Sequence, residues 1–84
     1  MLVRFVFDAK GARRVALAGD FNGWSTEATM LDDADRDGRF MTTVALPPGD
    51  HPYMFVVDGE WVTDPAADAR RPDGFGRENA ILRL

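Results

Sequence analysis

Two tryptophans are the residues of this chain whose type and setting could hold a ligand. Trp24 lies in the turn-rich stretch Phe21-Asn22-Gly23-Trp24-Ser25, and Trp61 follows the Asp58-Gly59 dipeptide by two residues. A tryptophan beside a turn is more exposed on average than one at mid-strand. Indole offers a broad apolar face with one N–H at its edge. The C–H faces of a sugar ring stack on such a surface, while its hydroxyls need polar partners around the rim. Asn22, Asn79, Asp64 and Arg77 are rim candidates by type. The same two positions would also suit rings that cap the open ends of a core, and position alone leaves both readings open.

Other chemistries find less support. The single histidine, His51, sits beside Pro52 in a predicted turn with no evident nucleophile partner. A glycosidase needs two carboxylates with a cleft between them, and a chain of 84 residues can rarely build one. Asp58 and Asp64 read better as turn formers. Asp33-Ala34-Asp35-Arg36-Asp37-Gly38 has the spacing that opens a helix–loop–helix calcium site, but the twelfth position is Val44, where a bidentate glutamate is needed. Strands are predicted on both sides, and Asp37-Gly38 suits a hairpin turn. There is no glycine-rich phosphate loop. The expectation is therefore no catalytic residue, no metal and no cofactor.

Composition narrows the class further. A chain of 84 residues, 45% hydrophobic, suits one domain over residues 1–84 with a compact core and no deep cavity. The net charge of −4, with 14 acidic residues against 10 basic, argues against nucleic acid, whose binding draws on cationic contacts to phosphate. Arg70 and Arg71 are flanked by Asp68 and Asp73 and read as a solvated loop. The lack of cysteine fits a reducing compartment. No apolar run approaches the ~20 residues that span a bilayer, and Met1 to Phe5 alternates instead of forming a signal-peptide core. A soluble, cytoplasmic protein with no membrane contact is expected.

The elements that must position the tryptophans follow from a period of two. Val3, Phe5 and Phe7 alternate with Leu2, Arg4 and Val6, as in a strand with one buried face. Further strands are predicted at Val15–Ala18, Thr29–Leu31, Arg39–Leu46, Tyr53–Val57, Glu60–Thr63 and Asn79–Leu84. Pro47-Pro48-Gly49-Asp50 is a turn, and Asp58-Gly59 is the preferred dipeptide of a two-residue hairpin loop. Asp64 to Arg77 reads as one long loop, and Ala66–Arg71, bracketed by Pro65 and Pro72, is too short for a helix. About seven short strands with glycine and proline turns predict an all-β sandwich or barrel. Phe5, Phe7, Phe40, Tyr53 and Phe55 already supply most of the aromatic volume that so small a core can hold. Both tryptophans are left outside it.

Val15-Ala16-Leu17-Ala18-Gly19-Asp20-Phe21-Asn22-Gly23-Trp24 resembles the G-x-F-N-x-W segment of carbohydrate-binding module family 48. That family includes the glycogen-binding domain of the AMP-activated protein kinase beta subunit and the N-terminal domains of isoamylases and glycogen branching enzymes. Four more pieces follow in family order: Leu46-Pro47-Pro48-Gly49, then Tyr53 to Trp61, then Asp64-Pro65, then Phe75-Gly76-Arg77-Glu78-Asn79. Single Asp-Gly or Pro-Gly turns occur everywhere, whereas five pieces in register are specific.

The resemblance implies an immunoglobulin-like, early-set β-sandwich that binds α-glucan (glycogen, starch, malto-oligosaccharides) and is not an enzyme. It implies that Trp24 and Trp61 stack on glucose rings. Phe75 stands where the kinase-type domains have a leucine against the sugar, Arg77 where they have a threonine, and Asn79 retains their asparagine. Met54 replaces a lysine that contacts hydroxyls, which removes one polar anchor and predicts weaker binding. Two other readings fit the same motifs. One is an interaction domain whose aromatics dock a partner protein, such as a glucan-active enzyme; the other is an accessory part of a glycoside hydrolase.

Overall fold

The computed structural model describes residues 1–84. Its strands are β1 (Leu2–Asp8), β2 (Val15–Gly19), β3 (Met30–Leu31), β4 (Arg39–Ala45), β5 (Asp50–Val57), β6 (Glu60–Val62), β7 (Ala69–Pro72) and β8 (Glu78–Arg83). The only helical element is a 3-10 turn at Asp20–Asn22. β1 and β4 pair along their whole length as one antiparallel layer. The other layer runs β3-β2-β5-β8-β7, and β6 pairs with Phe55–Val57, the end of β5 that β8 does not reach. A bridge between Asp32 and Met41, with both N–H···O distances 2.9 Å, ties the layers along one side.

The alternation in β1 does what its sequence requires. Phe5 is buried, with Val3 and Phe7 packed beside it, while Leu2 and Arg4 face solvent. Phe5 meets Tyr53 edge-on at 5.1 Å between ring centroids, and Phe7 meets Phe55 at 4.7 Å. These contacts join β1 to β5 across the sandwich. Val15, Leu17, Leu31, Phe40, Leu46 and Ala80 complete the core. The all-β sandwich expected from strand spacing is what the chain forms.

Three details differ from the sequence reading. First, there are eight strands, because the presumed loop Asp64–Arg77 contains β7, and Arg70 and Arg71 lie in it. β7 is an edge strand that pairs only with β8. An edge strand needs no apolar alternation and tolerates proline, so the pattern that marks a strand is missing there. Second, β5 begins at Asp50, which puts His51 and Pro52 in a strand rather than a turn. Pairing with β2 starts only at Tyr53, so Pro52 faces no acceptor on that side and its missing N–H costs nothing. Third, His51 is buried, and its Nε2 donates to the Pro47 carbonyl at 2.7 Å. It holds the incoming turn and faces away from Met54, since strand neighbours three apart point to opposite sides.

Candidate functional site

β2 is buried at all five positions, which means that both of its faces are covered. Val15 and Leu17 point into the sandwich core, whereas Ala16 and Ala18 point to the outer face of the six-stranded layer. There they join Val56 in a second, smaller cluster, against which Trp24, Met30 and Trp61 pack. Cross-strand register explains the grouping. Ala16 opposes Val56, Ala18 opposes Met54, and Val56 opposes Trp61, so all five side chains share one face. The small alanines leave room for indole above them.

The segment Gly19–Trp24 places one of these rings by a series of local bonds. A Cβ on Gly19 would lie 2.8 Å from the Pro52 carbonyl oxygen and would overlap the Phe21 ring, so only glycine fits. Phe21 packs inward and stacks on Phe5 with centroids 6.3 Å apart. The Asn22 side chain accepts from the Gly19 N–H at 3.1 Å and donates to the Leu17 carbonyl at 2.8 Å and to Thr29 Oγ1 at 3.1 Å. Trp24 itself has φ of 60°, a left-handed conformation that is costly for a bulky residue. Its N–H donates to the Gly19 carbonyl at 2.9 Å, which closes the turn and holds that conformation. Strain kept in place by surrounding bonds is characteristic of binding residues.

Trp61 is placed by the β5–β6 hairpin. Asp58 and Gly59 have φ of 49° and 84°, the pair of positive values that a type I′ turn requires. Asp58 Oδ1 also accepts the N–H groups of Arg13 and Arg14 at 2.9 and 2.8 Å. The turn is thereby pinned to the start of β2.

The third contributor is the loop between β7 and β8. Asp73 Oδ1 accepts from Phe75 N–H at 2.7 Å and Arg77 N–H at 3.1 Å, and Asp73 N–H donates to the Arg77 carbonyl at 2.9 Å. This closed loop presents Phe75 at its tip with 91% of its surface exposed. Thr63 Oγ1 donates to the Glu78 carbonyl at 2.8 Å, joining the loop's far end to the segment after β6.

These three segments enclose one concavity of about 390 Å³. Its lining is Trp24, Met54, Trp61, Asp73, Phe75, Arg77 and Asn79. The six residues that the family resemblance assigns to the sugar site thus lie together. The structure sharpens four of them. Both tryptophans are half-buried rather than freely exposed, because one side of each packs on the sheet. Met54 is 3% exposed and forms the floor, so it adds apolar area where a lysine would offer a charge. Asn79 emerges on the same face, one residue before the core-facing Ala80.

Two rim candidates are elsewhere. The Asn22 amide is taken up by its bonds to Gly19, Leu17 and Thr29. Asp64 is buried, accepting from Tyr53 Oη at 2.6 Å and Ala66 N–H at 2.9 Å. Burial first, then the bond to Asp64 and its charge, push the Tyr53 phenol well above the ordinary tyrosine range. This pair belongs to the core. In contrast, no buried side-chain polar atom lacks a partner, so the Arg77 guanidinium and Asn79 amide, which bond to nothing in the chain, are open to solvent. Asp73 was missed by sequence reasoning; its Oδ2 is free of the bonds that occupy Oδ1. The available signal was an aspartate before Gly74, at the start of a five-residue loop. The carboxylates of Asp33 and Asp37 accept backbone N–H groups of their own turn, from Asp37, Gly38 and Arg39.

Several curated proteins are similar to this chain. The 5'-AMP-activated protein kinase subunit beta-2 of Homo sapiens is 38% identical over 58 residues, which cover 69% of this chain and 20% of that protein. The subunit beta-1 of Sus scrofa is 39% identical over 56 residues, 67% of this chain and 43% of that one. Protein PTST homolog 2, chloroplastic, of Arabidopsis thaliana is 37% identical over 71 residues, 84% of this chain and 13% of that one. The chain spans less than half the length of each of these relatives. A family model described as the glycogen recognition site of AMP-activated protein kinase matches residues 2–84. Matched from its second residue to its last, and carrying both tryptophans on one concave face, the chain belongs to this family of carbohydrate-binding modules.

Proposed function

We propose that the domain binds α-1,4-glucan in the concavity between Trp24, Trp61 and Phe75, and that it turns nothing over. The observation that carries this reading is the chemical make-up of that one surface. Two indole faces, a phenyl ring and the Met54 thioether supply apolar area for C–H faces of glucose, and Asn79, Arg77 and Asp73 stand beside them with unused donors and acceptors. The tryptophans approach from a loop and from a hairpin strand above a common floor, which suits the curved face of a helical glucan better than a flat chain. Binding and not hydrolysis fits the rim, where a single carboxylate, Asp73, stands in place of the two that glycoside cleavage needs. Starch and malto-oligosaccharides share the α-1,4 linkage with glycogen and would bind in the same way. A cysteine-free domain of this kind suits a reducing cytoplasm, where it would bring an attached or associated glucan-active protein to its polymer.

Intrinsic fluorescence tests the reading directly. Millimolar maltoheptaose should change the emission of the tryptophans, and Trp61→Ala should lose co-sedimentation with glycogen. Unchanged emission together with unchanged sedimentation of the variant would sink the proposal.

A further inference from the structure

A second concavity, of about 520 Å³, lies on the same outer face of the sheet. Its floor is Met30 with Ala16 and Val56, two members of the cluster on which Trp24 and Trp61 also pack. The Ala16–Val56 step of the β2–β5 ladder is two residues from the Ala18–Met54 step beneath the tryptophan site. At the rise of an extended strand that is about 7 Å. The two hollows also share walls. The loop that carries Trp24 goes on to place Thr26 and Glu27 at the rim, where Ser25 Oγ accepts from Glu27 and Ala28 N–H groups at 3.2 and 3.0 Å. The hairpin that delivers Trp61 contributes Asp58 and Gly59, and it is bonded to Arg13 and Arg14 on the far side.

From this continuity we infer that the glucan site extends past the tryptophan pair into the second hollow, where Arg13, Arg14, Thr26 and Glu27 bind the hydroxyls of further glucose units. The proposal rests on the glucan reading above. The lining favours a neutral polyhydroxylated chain over an anion, because two guanidinium groups stand with the carboxylates of Glu27 and Asp58 in one space. Neither arginine side chain is tied up in an ion pair, since the one contact between a basic side chain and a carboxylate in the chain is that of His51 with Asp20. Arginine donors and a glutamate acceptor over an apolar floor match a sugar's alternating hydroxyls and C–H faces.

Affinity should therefore grow with chain length in a way that depends on residues outside the tryptophan site. The test measures the binding of maltotriose and maltoheptaose to the 84-residue chain and to its variants by titration calorimetry. The double variant R13A/R14A keeps the backbone N–H groups that bond Asp58 and should weaken maltoheptaose by about tenfold. Maltotriose should change by far less, so the length preference collapses. Glu27→Ala, on the exposed opposite rim, should shift the same ratio in the same direction and guards against a folding defect in the double variant. Should both variants keep the wild-type length preference while Trp61→Ala weakens binding of both sugars, the extension is wrong and the tryptophan site stands. Should Trp61→Ala leave both affinities unchanged, the glucan reading itself fails and takes the extension with it.

Discussion

The two faces of the six-stranded layer are built from the same strands, and they are packed in opposite ways. On the inner face β2 contributes Val15 and Leu17, and β5 contributes Tyr53 and Phe55; all are buried against β1 and β4. On the outer face the alternate residues of β2 are Ala16 and Ala18, and the large rings come instead from the loop after β2 and from the short strand β6. No second layer covers that face. Indole takes the place of a layer, with one side on the alanines and the other available to a ligand. Bulk enclosed between two layers makes a core, and bulk set over small residues on an uncovered face makes a site.

This contrast can be tested by substitution, and the largest effect belongs to the inner face. Phe55→Ala removes a ring that is fully buried and should cost about 3–5 kcal/mol. In a domain whose total stability is on the order of 5–10 kcal/mol, chemical denaturation would shift to much lower denaturant. Trp61→Ala should behave the other way round. The loss of a stacking anchor is expected to lower maltoheptaose affinity by about 30-fold, while the denaturation midpoint moves much less than for Phe55→Ala. Equal loss of stability in the two variants would erase the distinction between the faces.

Ala18→Leu addresses the floor. Ala18 has no exposed surface, and the added bulk beneath Trp24 should cost about 1–3 kcal/mol. Because the easiest relief is to lift the indole, sugar binding should fall together with stability. Binding that survived intact would mean that the alanines are not what seats the ring.

Tyr53→Phe isolates the polar link on the inner side. It strips the partner from Asp64 Oδ2, at a cost of roughly 1–3 kcal/mol in a buried setting. It also has a signature in pH. The folded-state pKa of Tyr53 is raised, so the native protein holds this proton after the unfolded chain has released it. Stability from this source is complete below the unfolded value of about 10 and declines as pH rises beyond it. Denaturation profiles should show that alkaline loss in the wild type and a shallower one in Tyr53→Phe, with sugar binding at neutral pH unaffected by the substitution.

The smallest effect is expected from Met54→Lys. A lysine on this floor would run its stem along the rings and bring its ammonium to the rim. One added hydrogen bond to a hydroxyl should tighten maltoheptaose by about fivefold. Because the position is 3% exposed, a lower melting temperature should accompany the gain. A lysine that weakened binding would show that the apolar floor, rather than a missing anchor, sets affinity here.

Legibility in the sequence differed between elements for physical reasons. β1 and β4 each have one face in the core, so Val3, Phe5 and Phe7, and then Phe40 and Val44, recur on one side with a period of two and mark them. β2 is buried on both faces, and its run Val-Ala-Leu-Ala-Gly could be recognised as a strand without showing that its alanines face a site. β7 went unseen because the edge of a sheet places few demands on side chains. Among the site residues, Trp24, Trp61, Phe75, Arg77, Asn79 and Met54 were reached through turn contexts and motif order, and the structure brings them to one surface. Asp73 was not, since its part in the loop depends on hydrogen bonds between residues that spacing alone does not pair.

By itself, then, the sequence determined the class of fold and the kind of ligand surface. Period-two patterning with Asp58-Gly59 and Pro48-Gly49 turns requires antiparallel strands, and an aromatic core already filled leaves two tryptophans outside it. Tertiary structure alone decided how those rings are held and what lies around them. Residues 24, 54, 61, 73 and 79 meet only because β5 pairs with β2, β6 and β8 in one register. Asn22 and Asp64 were excluded from the site on the same basis, as burial gave their polar atoms backbone and phenol partners. Register and burial are properties of packed strands, and no single segment of this chain contains them.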